Sequence, residues 1–192
     1  MTFALVAAFA AGAQAATITW GLGSDIYLME NGNFNSATIA YESSLTPETG
    51  SYLALVYVGQ GQDSFSIGDI TQDSVIATSA YAIDTDGSSY ADWDPYQVTT
   101  QVSASTYADG ASFSVVWYDA GAGAFDYVYS IDDGSALNSA TTINDMTRGS
   151  DTIFVAGDTN DYGGVLNVTV PEPGIAAMAL IGLGMMIKRR RA

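Results

Sequence analysis

The chain has 192 residues, 21 acidic and five basic, with neither cysteine nor histidine. That length suits one domain large enough to bury a real core, and the missing cysteines exclude a disulfide framework, so packing alone must stabilise it. The missing histidines remove the usual general base, the commonest transition-metal ligand and the near-neutral pH switch. Charge is lopsided: between residues 17 and 170 there are 20 acidic residues against the single cation Arg148, a net charge of −19. Such a surface repels phosphate backbones, which excludes nucleic acid as a partner, and it stays soluble through self-repulsion.

In chain order, residues 1–16 are apolar and end in Ala13-Gln14-Ala15. They read as a secretory signal helix cut after Ala15 or Ala16. No basic residue precedes the apolar stretch, so either translation starts upstream or the signal is a weak one. The body, residues 17–170, then alternates β-formers with Gly, Asp, Asn and Ser. Strands are expected at Tyr52 to Val58, Ser74 to Ala82, Gln97 to Ala104, Phe113 to Tyr118, Phe125 to Ile131, Thr152 to Val155 and Val165 to Val170. The first of these is apolar on both faces, which suits a central strand; Gln97 to Val102 alternates, which suits a half-exposed one.

Phe113, Val115 and Trp117 fall on one face, as do Phe125, Tyr127, Tyr129 and Ile131, and the Gly-rich turn between the two segments predicts a hairpin. Helical periodicity is confined to the termini, apart from a single turn expected within Ser139 to Arg148. Many short strands with polar turns predict an all-β fold, an antiparallel β-sandwich or jelly-roll-like body.

Three constellations bear on chemistry. Asp84, Asp86, Asp92 and Asp94 crowd one loop, and hard cations such as calcium take oxygen ligands clustered this way, although Ser89 and Pro95 break the EF-hand pattern at its sixth and twelfth positions. The plainer account, that Asp sits in turns because its side chain caps them, weighs more. No cofactor is therefore expected, with calcium the one ion to consider.

Aromatic residues form the second set. Phe113, Trp117, Phe125 and Tyr129 share strand faces with aliphatic residues and are expected in the core, which leaves Trp93 and Tyr118 as candidates to stack on a sugar ring. The third is catalysis. Without His or Cys there is no usual nucleophile–base arrangement, the one lysine is Lys188, and the acidic residues single out no pair, so an enzyme is not expected.

The C-terminal 22 residues are of another kind. Pro171-Glu172-Pro173 holds the backbone extended, Gly174 to Ile187 carries no charge, and Lys188, Arg189, Arg190 and Arg191 follow. As a hydrophobic helix, the fourteen uncharged residues span roughly 21 Å, short of the roughly 30 Å hydrocarbon core, so they suit a temporary transmembrane anchor with its cations held on the cytoplasmic side.

These residues, in this order, resemble the sorting signal of PEP-CTERM proteins. The resemblance implies recognition by an exosortase, an integral-membrane cysteine peptidase that cleaves near the motif and releases or transfers the protein to the cell surface. The expectation is a surface or extracellular-matrix protein with a structural or adhesive role. The alternative is a carbohydrate-binding module for an exopolysaccharide, with a structural calcium ion. If the Asp84–Asp94 loop cages calcium in the native state, millimolar Ca²⁺ raises the melting temperature by mass action; an unchanged Tm removes the ion.

Overall fold

The run that is apolar on both faces lies in β3 (Tyr52–Gln60), bonded on one side to β4 (Val75–Ala80) and on the other to β6 (Ala111–Asp119). The computed structural model describes residues 15–22, 27–34, 45, 47–80, 98–154 and 164–170. Its other strands are β1 (Ala15–Gly21), β2 (Tyr27–Glu30), β5 (Val98–Ser103), β7 (Ala124–Asp126), β8 (Val128–Ser130), β9 (Ala136–Leu137), β10 (Thr141–Ile143), β11 (Ser150–Phe154) and β12 (Gly164–Val168). Two 3-10 turns, Ile67–Asp69 and Gln72–Ser74, are the only helical elements among the described residues. The protein is all-β in this part of the chain.

The strands form three sheets. One runs β11-β1-β5, one runs β10-β6-β3-β4 with β7 also on β6, and one runs β2-β12-β8-β9. Most ladders are antiparallel, but β1 lies parallel to β11 and β2 parallel to β12.

β3 and β6 are covered on both sides because their sequences are apolar on both sides. Leu53 and Leu55 lie opposite Trp117 and Val115. These four are fully buried in the main core together with Ile18, Trp20 and Val102. On the other face Ala54, Val56 and Val116 pack under Ile70, with Phe65 and Ile67 of the segment crossing that side. Burying each large apolar side chain contributes about 1.5–3 kcal/mol. Buried polar groups on these strands have partners: the Ser114 hydroxyl donates to the Ser139 carbonyl at 2.7 Å, and the Trp117 indole N–H donates to the Asn167 carbonyl at 2.7 Å.

The pairing slips between Tyr57 and Gly59. Gly59 takes φ +133°, and a Cβ there would lie 2.9 Å from Gln62 Cγ, so the irregularity requires glycine.

The expected strands are observed with shifted ends, except in two places. The segment Phe125 to Ile131 is not one strand: β7 pairs with β6, completing the expected hairpin, but β8 pairs with β12 in another sheet. Its aromatic residues are shared out accordingly, with Phe125 beside Val116 and Tyr129 and Ile131 beside Tyr27 and Val165. Within 139–148 the chain first forms β10, and a hydrogen-bonded turn rather than a helical element follows, closed by the Gly149 N–H on the Asp145 carbonyl at 2.6 Å.

Ala15 and Ala16, the last residues of the expected signal, open β1 opposite Ser103 and Val102. The parallel register with β11 begins only at Thr17. A cut after either alanine leaves that register whole. The remainder of the signal helix and the C-terminal helix lie outside the described residues.

A sheet covered on both faces predicts two losses. Leu55→Ala should destabilise by about 2–5 kcal/mol, and Val56→Ala, on the opposite face, by clearly more than the ~0.5 kcal/mol of a surface change. Urea denaturation of the two variants checks this. A neutral Val56→Ala would mean that one face is open.

Candidate functional site

The place where the body hands over to Pro171-Glu172-Pro173 is built by four elements. β12 runs between β2 and β8, and two residues beyond it comes Val170, directly before Pro171. β2 ends in Asn31-Gly32, a pair suited to a reversal through positive φ; Asn31 has φ 49° and Gly32 φ 71°. This turn lies alongside the strand exit. The Asn31 N–H donates to the Val168 carbonyl at 3.0 Å, and the Val170 N–H donates to Asn31 Oδ1 at 3.1 Å.

Asn167 ties the strand sideways. Its Oδ1 accepts from the Gly32 N–H at 2.7 Å, and its Nδ2 donates to Asp126 Oδ2 at 2.9 Å. Asp126 Oδ1 accepts from the Tyr129 hydroxyl at 2.5 Å and from the Tyr127 N–H at 2.8 Å. Asp119, only 1% exposed, closes the site from the end of β6. Its Oδ2 accepts from the Thr169 N–H and its Oδ1 from the Gly121 N–H, both at 2.9 Å. The turn packs so tightly that a Cβ on Gly121 would meet the Thr169 carbonyl oxygen at 2.5 Å.

These carboxylates spend their acceptor capacity on the fold. Each bond to a charged acceptor is worth more than a neutral one, and breaking it leaves a donor with no partner. The Tyr129 hydroxyl is pushed well above the ordinary tyrosine value, first by burial and then by its hydrogen bond to Asp126 and that carboxylate's charge. Tyr107 is pushed up as well, by burial and then by Tyr57.

The residues singled out in the sequence are distributed unevenly. Pro171, Glu172, Pro173 and Lys188 to Arg191 lie outside the described residues, as do Asp84, Asp86, Asp92, Asp94 and Trp93. Among the described residues no group of three acidic side chains could hold a metal, and no helix is long and apolar enough to cross a membrane.

Tyr118 is described. It is half-buried, with its ring stacked on Tyr52 at 4.8 Å and 19° and set edge-on to Phe125 at 5.2 Å and 65°. The three occupy one row across β3, β6 and β7. Stacked on one another in this way, the rings do not form a coplanar platform. A cavity of about 440 Å³ lies beside Tyr52, lined also by Pro47, Glu48, Ser51 and Thr78.

Sequence reasoning missed Asn31, Asp119, Asp126 and Asn167. The Asn-Gly pair at 31–32 was a readable turn signal. Nothing in the sequence marked Asn167, whose three partners come from three distant segments.

Fold and site together define an all-β protein whose last described strand is pinned by side chains from several elements. No protein-family model, no curated protein and no solved structure matches the chain.

A raised tyrosine pKa means that the folded state holds its proton more tightly than the unfolded chain does. That contribution is complete below the ordinary tyrosine value of about 10 and is lost as pH rises above it. Unfolding free energy should therefore fall above about pH 10, and Tyr129→Phe should make the decline shallower while costing about 1–3 kcal/mol at neutral pH. Urea titrations at pH 7 to 11 check both. An alkaline slope unchanged by Tyr129→Phe would remove Tyr129 as its source.

Proposed function

We propose that this is an exported, non-catalytic protein of the cell surface or extracellular matrix, sorted through its C-terminal segment and structural or adhesive in role. One observation carries the reading. The ordered series of Pro171-Glu172-Pro173, an uncharged apolar run and four consecutive cations starts one residue after Val170, where the pinned strand leaves the body. A peptidase of the exosortase class needs an extended, reachable segment. Two prolines disfavour any continuation of regular structure at that point, and Val170 is 36% exposed.

At the other end, a cut after Ala15 or Ala16 leaves the β1–β11 register, which starts at Thr17, intact, while it removes the Ala15↔Ser103 pair and, for the later cut, the fully buried Ala16 opposite Val102. We read the packing of the mature body as that of a β-sandwich; what supports this is that β1 and β5 supply core residues facing the β3–β6 pair. The large negative charge keeps such a body hydrated and soluble in an exopolymer.

The carbohydrate-binding reading rests on Trp93 and Tyr118, with a calcium ion at Asp84 to Asp94. The stacking of Tyr118 on Tyr52 lends it less support than a flat aromatic row would.

Intact-mass measurement of the surface fraction from the native host tests the reading at both ends. The expected species lacks residues 1–15 or 1–16 and is cut near Pro171–Pro173, and replacing that tripeptide with alanines leaves the protein in the membrane fraction. A full-length mass recovered from the cell interior would overturn the proposal.

A further inference from the structure

We infer that the fold is built to bear tension entering at Val170, with β12 as a strand loaded in shear at the root of the C-terminal segment. The biological use of this device rests on the reading that the segment beyond Val170 attaches the protein to a surface; the mechanical property does not.

The argument starts from direction. β12 and β2 run parallel, with Val165, Leu166, Asn167 and Val168 opposite Tyr27, Leu28, Met29 and Glu30. β1 and β11 also run parallel, over five residue pairs from Thr17↔Ser150 to Gly21↔Phe154. In a parallel pair, a pull on the end of one strand and the start of the other acts along both axes. All the inter-strand bonds are then strained at once and must give way together. A pull on two neighbouring ends acts across the ladder and breaks the same bonds one after another. Tension between the start of β2 and the exit of β12 is of the first kind.

The side-chain ties reinforce this arrangement where the load enters. The backbone N–H groups of Thr169 and Val170, the two residues leading out of β12, are each held by a side chain from a different element, Asp119 and Asn31. Asp119 ends β6, which is paired with β3 over eight residue pairs. Load at the exit is thereby passed into the centre of the protein as well as along β12. The Trp117 indole on the Asn167 carbonyl adds a second route into β6. These ties add to apolar packing, since Trp117, Leu166 and Val168 are themselves buried in the main core. Their place at the exit is what a load-bearing strand requires.

The chain has no cysteine, so paired cysteine substitutions give unique handles for single-molecule pulling of the full-length protein. Handles at Asp25→Cys, two residues before β2, and Val170→Cys load the β2–β12 pair in shear; handles at Asn33→Cys and Val170→Cys load neighbouring ends and peel them. At one loading rate, the shear pair should rupture at about twice the force of the peeling pair or more, because forced unfolding follows the unfolding barrier along the pulled direction. Asn31→Gly keeps the positive-φ turn, removes the tie to Val170 and should lower the shear rupture force. Ser24→Cys replaces Asp25→Cys if that variant does not fold, and unchanged melting temperatures establish that the handles are silent.

Equal forces in the two geometries, or a shear force unaffected by Asn31→Gly, would overturn the inference. A chain that ruptures high in shear but stays inside the cell removes the sorting proposal and leaves the clamp. A chain correctly sorted but equally weak in both directions removes the clamp alone.

Discussion

Leu53 against Trp117 and Leu55 against Val115, with Ala54 and Val56 turned to the other side, make the pairing of β3 with β6 the interaction on which the other elements lean. The protein has no disulfide to constrain its unfolded chain and a body with a single cation to set against 20 acidic residues. Like charges at that density oppose compaction. Apolar burial has to exceed both that repulsion and the chain entropy, and it does so by filling both faces of one strand pair. β1 and β5 cover one face, and the segment carrying Phe65, Ile67 and Ile70 covers the other.

Away from that centre, hydrogen bonds are added to packing. β2, β8 and β12 are short, and several of their apolar residues lie in a small cluster of their own around Tyr27, Met29 and Val165. This sheet is held to the rest by Leu28, Val128, Leu166 and Val168, which are buried in the main core, and by side-chain bonds converging on β12 from Asn31, Asp119, Asp126 and Trp117. Asp119 is a buried carboxylate with no cation paired to it among the described residues, made tolerable because each oxygen accepts a backbone N–H. The protein uses its surplus of acidic residues here as hydrogen-bond acceptors. The proposed sorting and the inferred load bearing meet at the same few residues because the strand that leads to Pro171 is tied by side chains from several elements.

Much of the fold could be read before any coordinates. Tyr52 to Val58, apolar at every position, had to lie inside a sheet. Val98 to Ser103 does alternate, with Val102 buried and Thr99 and Gln101 exposed. The Gly-rich turn after Asp119 does return β7 onto β6. The reading failed at Phe125 to Ile131, where the alternation runs on unbroken through a point at which the backbone changes sheets. Asp126 is the cause. Its carboxylate accepts from the next residue's N–H, from Tyr129 and from Asn167, turning the chain away from β6 toward β12. Asn167 lies 41 residues further on, and no local pattern could announce it.

By itself, the sequence determined the β class, the two-faced central strand, the hairpin and the two unlike ends, because each depends on side-chain periodicity or composition within a dozen or so neighbouring residues. Only the tertiary structure decided that β1 lies along β11 and β2 along β12, that Tyr118 stacks on Tyr52, and that Val170 leaves the fold with its N–H held by Asn31. Those outcomes depend on contacts between residues 66 to 139 positions apart. Partners so distant are selected by which surfaces remain uncovered once the core has formed, and that is a property of the assembled shape rather than of any stretch of chain.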